Sequence, residues 1–528
     1  MGIYLNPGNE NFKRDLRSEI YVDKSLLIAK LNSIIDTNEN YVCISRPRRF
    51  GKTMAVSMLA AYYSRGCDSR ELFSSLKIAE EKTYAECLNK FNVIQLDINA
   101  FYMNLKAAEK QSLFDKITVA VNKELAASFN DAGIDVREDS LGNALLKAWA
   151  ASGETFILLL DEYDVLVREK VPAPLFEEYL AFLSSLFKNS TLRPAISLAY
   201  VTGILPIVRD KIQSKLNEFF EYSMVTPGGF AEFIGFTEEE TQSLCAAYGM
   251  DFAECKRWYD GYVFGKKKSI YSPRSVVTAM KEHEYGDYWV STGSYEALKL
   301  FILMDFEGIK DDVVTMIGGG RVAVNVLKYM NTMTDFNSKD DVFTYLIHLG
   351  YLAYDRTKKT CFIPNNEVRS QWTSSIEDSP DYKSVMAVVN KSRALLDATL
   401  ACDEEAVAAA LDEAHQRASN PLTYNNEASF QSAIGLAYFY ATAKYTIIKE
   451  LPTGRGYADV AFIPYVPHVP AVIVELKNNK TAEGAIAQIK SRKYDDILLH
   501  YSGNMLFVGV NYDAKTKKHE CRIERFTK

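Results

Sequence analysis

Apolar residues along the first two hundred positions fall into short runs that alternate with stretches of helical periodicity. Four of these runs are rich in β-branched and aromatic residues and end at polar or turn residues, which is typical of buried strands. They lie at 41–44, 92–98, 156–160 and 195–204. After the first run, Met54, Met58, Ala61 and Tyr62 recur at helical spacing. Because strands separated by helices build parallel sheets from βαβ units, the pattern predicts an α/β fold.

The pattern changes twice further along the chain. From about residue 229 helical periodicity dominates, and Thr237 followed by Glu240 has the spacing of a capping box at a helix start. Near Asn426 an amphipathic helix begins, and two strand-like runs, "DVAFI" and "AVIVELK", follow it. We therefore predict three domains: a parallel-sheet domain at 1–228, a mostly helical lid and connector at 229–400, and a second α/β domain at 401–528.

The composition is that of an ordinary globular protein. Of the 528 residues 48% are hydrophobic and 24% are charged, and the net charge of −7 argues against a general affinity for polyanions, so that any nucleic-acid site must be local. The eight cysteines are scattered without a CxxC pair, which argues against zinc. No run approaches the ~18 continuous apolar residues of a membrane span, and the first residues lack the apolar core of a signal peptide. We expect a cytoplasmic protein without a membrane partner.

The turn after the first strand has features of a phosphate-binding loop. Gly51, Lys52 and Thr53 stand between a strand and a helix, where backbone N–H groups at the helix start can hold phosphates. In such loops the lysine reaches the β- and γ-phosphates, and the threonine hydroxyl binds Mg²⁺. The first glycine of the usual pattern would fall at Arg46, so the strict motif fails. A strand–turn–helix with a basic surface is the alternative interpretation.

An acidic pair at the end of another strand favours the nucleotide interpretation. The run 156–160 ends in Asp161 and Glu162. In P-loop ATPases an aspartate at this edge of the sheet supports Mg²⁺, and an adjacent glutamate polarises the attacking water. A strand followed by a solvated acidic turn is the alternative, but the two motifs occur in the right order and each at a strand end. We therefore predict an ATPase core in which Lys52, Thr53 and Asp161 bind ATP and Mg²⁺ and Glu162 is catalytic.

Further polar residues near these motifs are candidates for phosphate contacts. Thr202 lies at the end of the last of the four strands, where it could sense the γ-phosphate or simply belong to a strand-end turn. Arg46, Arg48 and Arg49 crowd the loop and could neutralise phosphate charge, stabilise a transition state or hold a nucleic-acid backbone. A solvated basic turn is the alternative. We favour proximity to the phosphates and include Arg48, Arg49, Gly51 and Thr202 among the predicted nucleotide-binding residues.

The last fifth of the chain carries the residue set of a metal-dependent nuclease. Asp459 opens "DVAFI", and Glu475 and Lys477 end "AVIVELK". Phosphodiester hydrolysis uses Mg²⁺ held by hard oxygen ligands, which Asp459 and Glu475 on neighbouring strands can supply. Alternation places Glu475 and Lys477 on one face of the strand, so the lysine can orient or activate the attacking water. A charged solvent face is the alternative, but the strand is otherwise apolar, which predicts a central strand whose charged end needs a partner or ligand.

Two flanking features support this site. Glu427 on the preceding helix can add a metal contact, and Gln488 and Tyr494 lie on a following helix. Residues 477–528 contain eleven Lys and Arg against six Asp and Glu, a local charge of +5 within a chain of −7. A basic surround of an acidic metal site suits a polyanionic substrate, although each basic run could equally be a solvated face.

Taken together, these residues resemble a known family. The stretches "YVDKSLLI", "SRPRRFGKT", "LLLDEYD", "VTGI", "WYDGY" and "GRGYADVAF…AVIVELK", in this order, resemble bacterial AAA-ATPase-like proteins that bear a C-terminal PD-(D/E)XK nuclease domain, and the likeness covers nearly the whole chain. It implies that the altered loop is a family feature, that ATP binds at Lys52 and Thr53, and that the last domain is restriction-endonuclease-like. The nuclease signature begins with "AD" instead of "PD" but retains the metal-binding Asp459. We place "YVDKSLLI" near the adenine.

The combined expectation is an ATP-controlled, Mg²⁺-dependent endonuclease that acts on DNA rather than RNA. ATP binding or hydrolysis would reposition the helical lid and, through it, the nuclease. Two alternatives stay open. The protein could be a nucleotide-dependent switch or adaptor that binds nucleic acid or protein without cutting, against which the retention of Asp459, Glu475 and Lys477 argues. It could also be a structural or sensor assembly, an ATP-dependent homo-oligomer.

Overall fold

The structure, a computed structural model, divides the chain into two compact units. The first unit comprises Met1–Ser291 and Val322–Val368, and the second comprises Thr292–Arg321 and Arg369–Lys528. The chain therefore passes from one unit to the other three times. The residues described are 2–130, 135–207, 218–264, 268–289, 298, 306, 308–317, 319–327, 336–377, 383–418, 437–438, 441, 445–453, 456–464, 469–491 and 504–526.

A five-stranded parallel sheet forms the centre of the first unit. Its strands are β1 Tyr41–Ser45, β2 Asn92–Asp97, β3 Phe156–Asp161, β4 Ile196–Gly203 and β5 Phe220–Tyr222. They lie in the order β2-β3-β4-β1-β5, and each neighbouring pair is parallel. β1, β3 and β4 are buried along their whole length, as expected for parallel strands covered on both faces. The predicted parallel α/β sheet is confirmed, whereas β5 is short and partly exposed and has no apolar run to predict it.

Helices follow the strands of this sheet, as the alternating pattern requires. Among the described residues up to β5, the α-helices are Glu10–Leu16, Leu26–Asn32, Lys52–Tyr63, Arg70–Phe73, Tyr84–Cys87, Ile98–Asn104, Leu113–Ser128, Leu141–Ser152, Val165–Arg168 and Ala173–Phe187. Short 3₁₀ turns occur at Lys77–Glu80, Ala107–Ser112, Arg193–Ala195 and, beyond β5, at Gly228–Phe230. Because parallel strands end at one edge of a sheet, Ser45 lies beside Gly203, and Asp97 lies beside Asp161. This edge positions the candidate nucleotide site.

The rest of the first unit is mostly helical, as predicted, and includes two small antiparallel sheets. The first sheet contains β6 Phe236–Thr237, β7 Tyr262–Phe264 and β8 Lys268–Tyr271, in the order β6-β8-β7. The second contains β9 Val322–Ala323, β10 Ala353–Asp355 and β11 Thr360–Phe362, in the order β10-β11-β9. The described helices here are Glu238–Tyr248, Phe252–Tyr259, Pro273–Glu282 and Lys339–Leu349.

The capping box predicted at the start of the helix Glu238–Tyr248 is present. The N–H of Glu240 donates to the Thr237 hydroxyl oxygen at 3.3 Å, and the N–H of Thr237 donates to the Glu240 carboxylate at 2.8 Å. Two donors that lack partners within the helix are thereby satisfied. The same Glu240 carboxylate lies 2.5 Å from the ammonium of Lys24, so the cap also ties this helix to the N-terminal segment.

The second unit contains a five-stranded mixed sheet. Its strands are β12 Tyr445–Thr453, β13 Gly456–Pro464, β14 Ala471–Asn478, β15 Met505–Asp513 and β16 Lys518–Phe526, in that order. Neighbours are antiparallel except for β14 and β15, which are parallel and joined through the helix Ala482–Ser491. The other described helices are Ile309–Ile317, Asn366–Glu377, Lys383–Ala401 and Glu404–Ala418, of which Asn366–Glu377 begins in the first unit. β14 is the central strand, as its apolar pattern predicts.

The predicted domain boundaries at residues 228 and 400 stay predictions. The two units divide the predicted connector, because 322–368 belongs with the parallel sheet and 369–400 with the mixed sheet. Within the described part of the chain, none of the helices has both the length and the apolar character that a membrane crossing needs.

Candidate nucleotide-binding and nuclease sites

A cavity of about 900 Å³ lies in the first unit at the carboxyl edge of the parallel sheet. The phosphate loop, defined here as Arg46–Thr53, and the helix Lys52–Tyr63 that follows it supply one wall. Asp97, Glu162 and Arg168 line the cavity from the neighbouring strand ends. The volume falls in the range of small-molecule and cofactor sites. The sheet edge, the loop and the cavity therefore coincide, as the nucleotide interpretation predicts.

The backbone of the phosphate loop is shaped to receive an anion. Gly51 is the N-cap of the helix Lys52–Tyr63 and has φ of +93°, in the left-handed region that glycine adopts without a Cβ clash. The first N–H groups of a helix have no partner within the helix, and here they belong to residues that line the cavity. With the positive end of the helix dipole, these donors form an anion site for the phosphates of a nucleotide.

Lys52 points along this loop and is almost fully buried. Its ammonium donates to the carbonyl of Pro47 at 3.0 Å and lies 4.0 Å from the Glu162 carboxylate. Burial lowers the pKa of Lys52, and the negative charges of Glu162 and Asp161 oppose that shift. A phosphate in the cavity would add a further negative charge and favour the charged form of the lysine. Lys52 therefore lies beside the helix start and the acidic end of β3, and its contact with phosphates stays a prediction.

Thr53 and Asp161 form the candidate Mg²⁺ site. The Thr53 hydroxyl donates to Asp161 Oδ2 at 2.7 Å, and Asp161 is buried at the end of β3. Burial raises the pKa of Asp161 to about 6, and the Thr53 hydrogen bond lowers it in part. A hydroxyl and a carboxylate are hard oxygen ligands, and Mg²⁺ is commonly held by one or two carboxylates together with substrate phosphates. The donor set therefore fits this ion.

Glu162, the predicted catalytic residue, is held by two cations. Its carboxylate contacts Lys52 and forms an ion pair with Arg168, whose Nε also binds the buried Asp164 at 3.0 Å. Glu162 has φ of +51°, an uncommon backbone conformation for a residue with a side chain. Strained backbone of this kind clusters at functional sites. In this arrangement Arg168 fixes the direction of the Glu162 carboxylate at the cavity wall.

The three loop arginines are placed in three different ways. Arg46 is fully buried: its Nη1 donates to the carbonyls of Ser45 and Tyr222 at 2.8 and 3.2 Å, and its guanidinium stacks on Phe264. Arg46 is not among the described residues that line the cavity. The geometry therefore does not favour the expected proximity of Arg46 to the phosphates. Arg48 lines the cavity. Arg49 also lines it, but its guanidinium donates to two backbone carbonyls at residues 288 and 289.

Thr202 is fully buried within the sheet. Its hydroxyl donates to the carbonyl of Ile44 on the adjacent β1 at 2.7 Å. Thr202 is also absent from the described lining of the cavity. Its hydroxyl is therefore already used between two strands, which agrees with the alternative of a strand-end residue. The contact with the γ-phosphate stays a prediction.

Two cavity residues escaped the sequence analysis. Asp97 ends β2 directly beside Asp161, and its carboxylate accepts the N–H of Ala100 at the start of the next helix. The signal was an apolar run ending in Asp, the same feature that singled out Asp161. Arg168 was missed because its spacing of four residues to Asp164 indicates an ordinary surface pair, whereas Asp164 is buried and Arg168 is mostly covered.

The far wall of the cavity comes from the N-terminal segment and the lid. Tyr21 and Val22 of "YVDKSLLI" line it, as do Arg274 and Lys281 on the helix Pro273–Glu282. The segment predicted to lie near the adenine thus borders the same cavity as the phosphate loop. Which part of a nucleotide it contacts stays a prediction.

The candidate nuclease residues lie in the second unit where the pairing between β13 and β14 stops. β13 begins at Gly456, so Asp459 does not open its strand as predicted, and β14 continues past Glu475 to Asn478. Val460 pairs with Val474, so Asp459 and Glu475 are the next residues towards the same end of the two strands. Asp459 Oδ2 accepts the N–H of Leu476 at 2.7 Å, and the Lys477 ammonium lies 3.2 Å from the Glu475 carboxylate. Glu475 is buried within the central strand β14, where its charge requires partners. The structure brings all three predicted catalytic residues of this site together.

Gln488 completes the surroundings of Glu475. Its side-chain amide donates to Glu475 Oε1 from the helix Ala482–Ser491, as its predicted helical position implies. Glu427 and Tyr494 lie outside the described residues. Among the residues that are described, no three His, Cys, Asp or Glu side chains form a group able to hold a metal ion. Asp459 and Glu475 therefore supply two hard oxygen ligands that fit Mg²⁺, and the predicted third ligand, Glu427, stays a prediction.

Comparison with protein families agrees with both halves of this description. A family model described as "Predicted AAA-ATPase" matches residues 8–213, and a model of the PD-(D/E)XK nuclease superfamily matches residues 425–521. Among curated proteins, an uncharacterized protein in the vnfD 5' region of Azotobacter chroococcum mcd 1 is 24% identical over 286 residues, which are 52% of this chain and 51% of that protein. The chain thus aligns with about half the length of this relative.

Solved structures with detectable similarity include two from Aeropyrum pernix. The ORC1 protein in complex with DNA aligns over 72% of this chain and 98% of that chain, with 12% identity and a TM-score of 0.26. The ORC2 protein in ADPNP–ADP complexes aligns over 69% and 98%, with 11% identity and a TM-score of 0.27. Similarity at this level supports no functional conclusion.

Proposed function

We propose, from the matches of this chain to a predicted AAA-ATPase family and to the PD-(D/E)XK nuclease superfamily, that it hydrolyses ATP and that the nucleotide controls a Mg²⁺-dependent nuclease acting on DNA. The observation that carries the proposal is one cavity lined by Lys52, Thr53 and Glu162, with Asp161 hydrogen-bonded to Thr53 at its edge. Nucleotide chemistry needs this set of a cation, a metal-binding pair and a base, and the ends of β1 and β3 with the loops that follow them bring it together.

The nucleotide site would act on ATP as follows. Helix-start N–H groups and the Lys52 ammonium bind the phosphates and neutralise their charge. Thr53 Oγ1 and the Asp161 carboxylate would hold Mg²⁺, and the ion would neutralise charge on the phosphate oxygens. Binding the ion would require Asp161 to be deprotonated, and Thr53 Oγ1 can offer a lone pair while its hydrogen still donates to Asp161. Glu162, once released from Arg168, accepts a proton from the water that attacks the γ-phosphorus.

The nuclease site would act on a phosphodiester in a related way. Asp459 and Glu475 would hold Mg²⁺ at the point where the two strands stop pairing. Lys477 stands beside Glu475 and can orient the attacking water and offset charge on the scissile phosphate. Gln488 holds the Glu475 carboxylate in place through its hydrogen bond. Attack on phosphorus breaks one P–O bond, and the leaving oxygen takes up a proton.

The proposal of a nucleic-acid substrate is supported by charge. The stretch 477–528 carries +5 in an otherwise acidic chain, and it begins at the catalytic Lys477. Local basic surface beside an acidic metal site is the electrostatic footprint of a polyanion substrate. We propose DNA before RNA, and the two are separated by offering both as substrates.

The experiment that tests the function combines binding and cleavage. ATP binding is titrated with Mg²⁺, and cleavage of plasmid, single-stranded DNA and RNA is followed with and without ATP. We expect Lys52→Ala to weaken ATP binding at least tenfold and Asp459→Ala to abolish cutting while leaving ATP binding intact. Matched controls are Lys147→Ala and Glu524→Ala, which remove surface ion pairs in the first and second unit. A wild-type protein that cuts no substrate under any condition would end the nuclease proposal.

A non-cleaving switch is the second candidate, favoured by one observation. Protein donors already occupy both carboxylates of the nuclease site: Asp459 accepts the N–H of Leu476, and Glu475 accepts from Lys477 and Gln488. A site with weak metal affinity could bind nucleic acid or a protein without cutting it. In that case ATP would alter the affinity for DNA or the oligomeric state. Calorimetric titration with Mg²⁺ would then give the same result for the wild type and for Asp459→Ala. Light scattering with and without ATP reports the oligomeric state directly.

A further inference from the structure

A buried carboxylate near the end of the first unit, that of Glu367, forms hydrogen bonds with two other segments of the chain, at residue 275 and at residues 288–289. Glu367 is almost inaccessible to solvent. Its Oε1 accepts the N–H groups of Tyr288 and Trp289, each at 2.8 Å, and its Oε2 accepts the hydroxyl of Ser275 at 2.8 Å. A buried charge is tolerated only with partners of this kind, and removing the carboxylate would leave two backbone donors unsatisfied. Glu367 therefore fixes the backbone at 288–289.

The same two residues are held from the opposite side by the phosphate loop. Arg49 Nη1 donates to the carbonyl of Tyr288 at 3.1 Å and to that of Trp289 at 2.6 Å. Arg49 has φ of +69°, in the left-handed region that is uncommon for an arginine. The backbone at 288–289 is thus clamped between an arginine of the nucleotide cavity and the carboxylate of Glu367.

The clamp lies next to the points where the chain leaves the first unit. The first passage follows Ser291, two residues after Trp289, and another follows Val368, the residue after Glu367. Glu367 is also the second residue of the helix Asn366–Glu377, which continues into the second unit. Its third partner, Ser275, follows Arg274 on the helix Pro273–Glu282, which lines the cavity. Any displacement of this clamp therefore acts on two covalent connections to the nuclease-bearing unit.

Arg49 has two competing sets of acceptors. It lines the cavity, yet its guanidinium is engaged with neutral carbonyls. A guanidinium binds phosphate oxygens more strongly than neutral carbonyls, because the bonds are charge-assisted and can be bidentate. Phosphates arriving at the loop would therefore draw Arg49 away from residues 288–289. An element with two discrete arrangements, biased by a ligand, is what coupling between sites requires.

We propose that Arg49, the backbone of Tyr288 and Trp289, and Glu367 form a relay through which nucleotide phosphates control the nuclease unit. This inference rests on the proposed function, because it needs both an ATP site and a nuclease. Without nucleotide Arg49 holds the clamp closed. With nucleotide the guanidinium moves to the phosphates and the 288–289 backbone loosens, which changes the restraint on the chain where it leaves the first unit.

The test uses hydrogen exchange of the full-length protein with a non-hydrolysable ATP analogue and Mg²⁺. The Tyr288 and Trp289 amides are protected by Glu367, and we expect the analogue to raise their exchange about tenfold, the loss that corresponds to one hydrogen bond. Glu367→Ala removes the clamp, so ATP affinity should stay within about threefold while the cleavage ratio with and without ATP falls to one. Glu367→Gln is the matched control, because its Oε1 can still accept both amides and its Nε2 can donate to Ser275.

Arg49→Lys breaks the relay at its other end. A lysine keeps the positive charge for phosphates but cannot span both carbonyls, so the exchange at 288–289 should be high with and without the analogue. The relay proposal presupposes that the wild type binds nucleotide and cuts in a nucleotide-dependent way. It is overturned if, in such a protein, nucleotide leaves hydrogen exchange at 288–289 unchanged and cleavage by Glu367→Ala still depends on ATP. A wild type that binds no nucleotide or cuts nothing instead overturns the proposed function, and the relay with it.

Discussion

Glu367 gives the protein a pH-dependent stability that can be calculated from its surroundings. Burial raises the pKa of Glu367 to about 7 from an ordinary value of 4.5, with Asp287 adding repulsion, while Ser275 and the amides of Tyr288 and Trp289 lower it in part. Each pKa unit corresponds to about 1.4 kcal/mol, so ionising this carboxyl in the folded state lowers the free energy of unfolding by about 3 kcal/mol.

The sign follows from proton binding. Between pH 4.5 and about 7 the folded protein holds a proton on Glu367 that the unfolded chain has lost, so stability falls as the pH rises through this window. The contribution is fully present below pH 4.5 and is lost above about pH 7. Glu367→Gln stays neutral at every pH and escapes this loss.

The assay compares denaturant unfolding of the wild type and Glu367→Gln between pH 5 and pH 8. We expect the variant to gain about 3 kcal/mol relative to the wild type over this range, since other titrating groups cancel in the difference. Glu178→Gln, at an exposed position on the helix Ala173–Phe187, serves as the control and should show no such trend. A difference between wild type and Glu367→Gln that is constant with pH would refute the reasoning.

Three further predictions concern the nucleotide site. Gly51→Ala should cost about 1 kcal/mol of unfolding free energy, because φ of +93° disfavours a Cβ although no neighbouring atom lies within 4 Å of its position; a variant as stable as the wild type would contradict this. Asp161→Asn should reduce the rate of ATP hydrolysis at least tenfold at saturating Mg²⁺, while the affinity for nucleotide without Mg²⁺ changes little. An equal loss of hydrolysis with Mg²⁺ and of affinity without Mg²⁺ would argue against Asp161 as a metal ligand. Arg168→Ala should destabilise the protein by about 3 kcal/mol in denaturant unfolding, because it removes the cation paired with the buried Asp164 carboxylate. A loss within ~0.5 kcal/mol, the usual spread of surface substitutions, would contradict it.

The parts of the fold that the sequence predicts are those encoded locally. β1 to β4 can be recognised as apolar runs in the sequence because both of their faces are buried. The capping box at Thr237 can be recognised because it depends on residues only three positions apart. β14 is recognisable as central for the same reason as β1. The motif residues at strand ends are equally visible, because a charged residue that ends an apolar strand stands out in the sequence.

The parts that the sequence could not predict depend on partners far along the chain. The position of Arg46 in the loop predicts a phosphate ligand, but its guanidinium is buried against the ring of Phe264 on β7, which is more than two hundred residues further along the sequence. Asp97 becomes a cavity residue only because β2 pairs with β3. Glu367 sits in a polar stretch without any motif, and its importance arises from contacts with Ser275 and with the backbone at 288–289. Such tertiary contacts leave no periodicity to detect.

The measurement that tests the central claim most directly is Mg²⁺-dependent cleavage of plasmid DNA with and without ATP, performed side by side for the wild type, Asp459→Ala and Lys52→Ala. The account predicts that the wild type cuts in a manner that depends on ATP, that Asp459→Ala does not cut, and that Lys52→Ala cuts without responding to ATP. A wild type that leaves plasmid, single-stranded DNA and RNA intact under every nucleotide condition would contradict it.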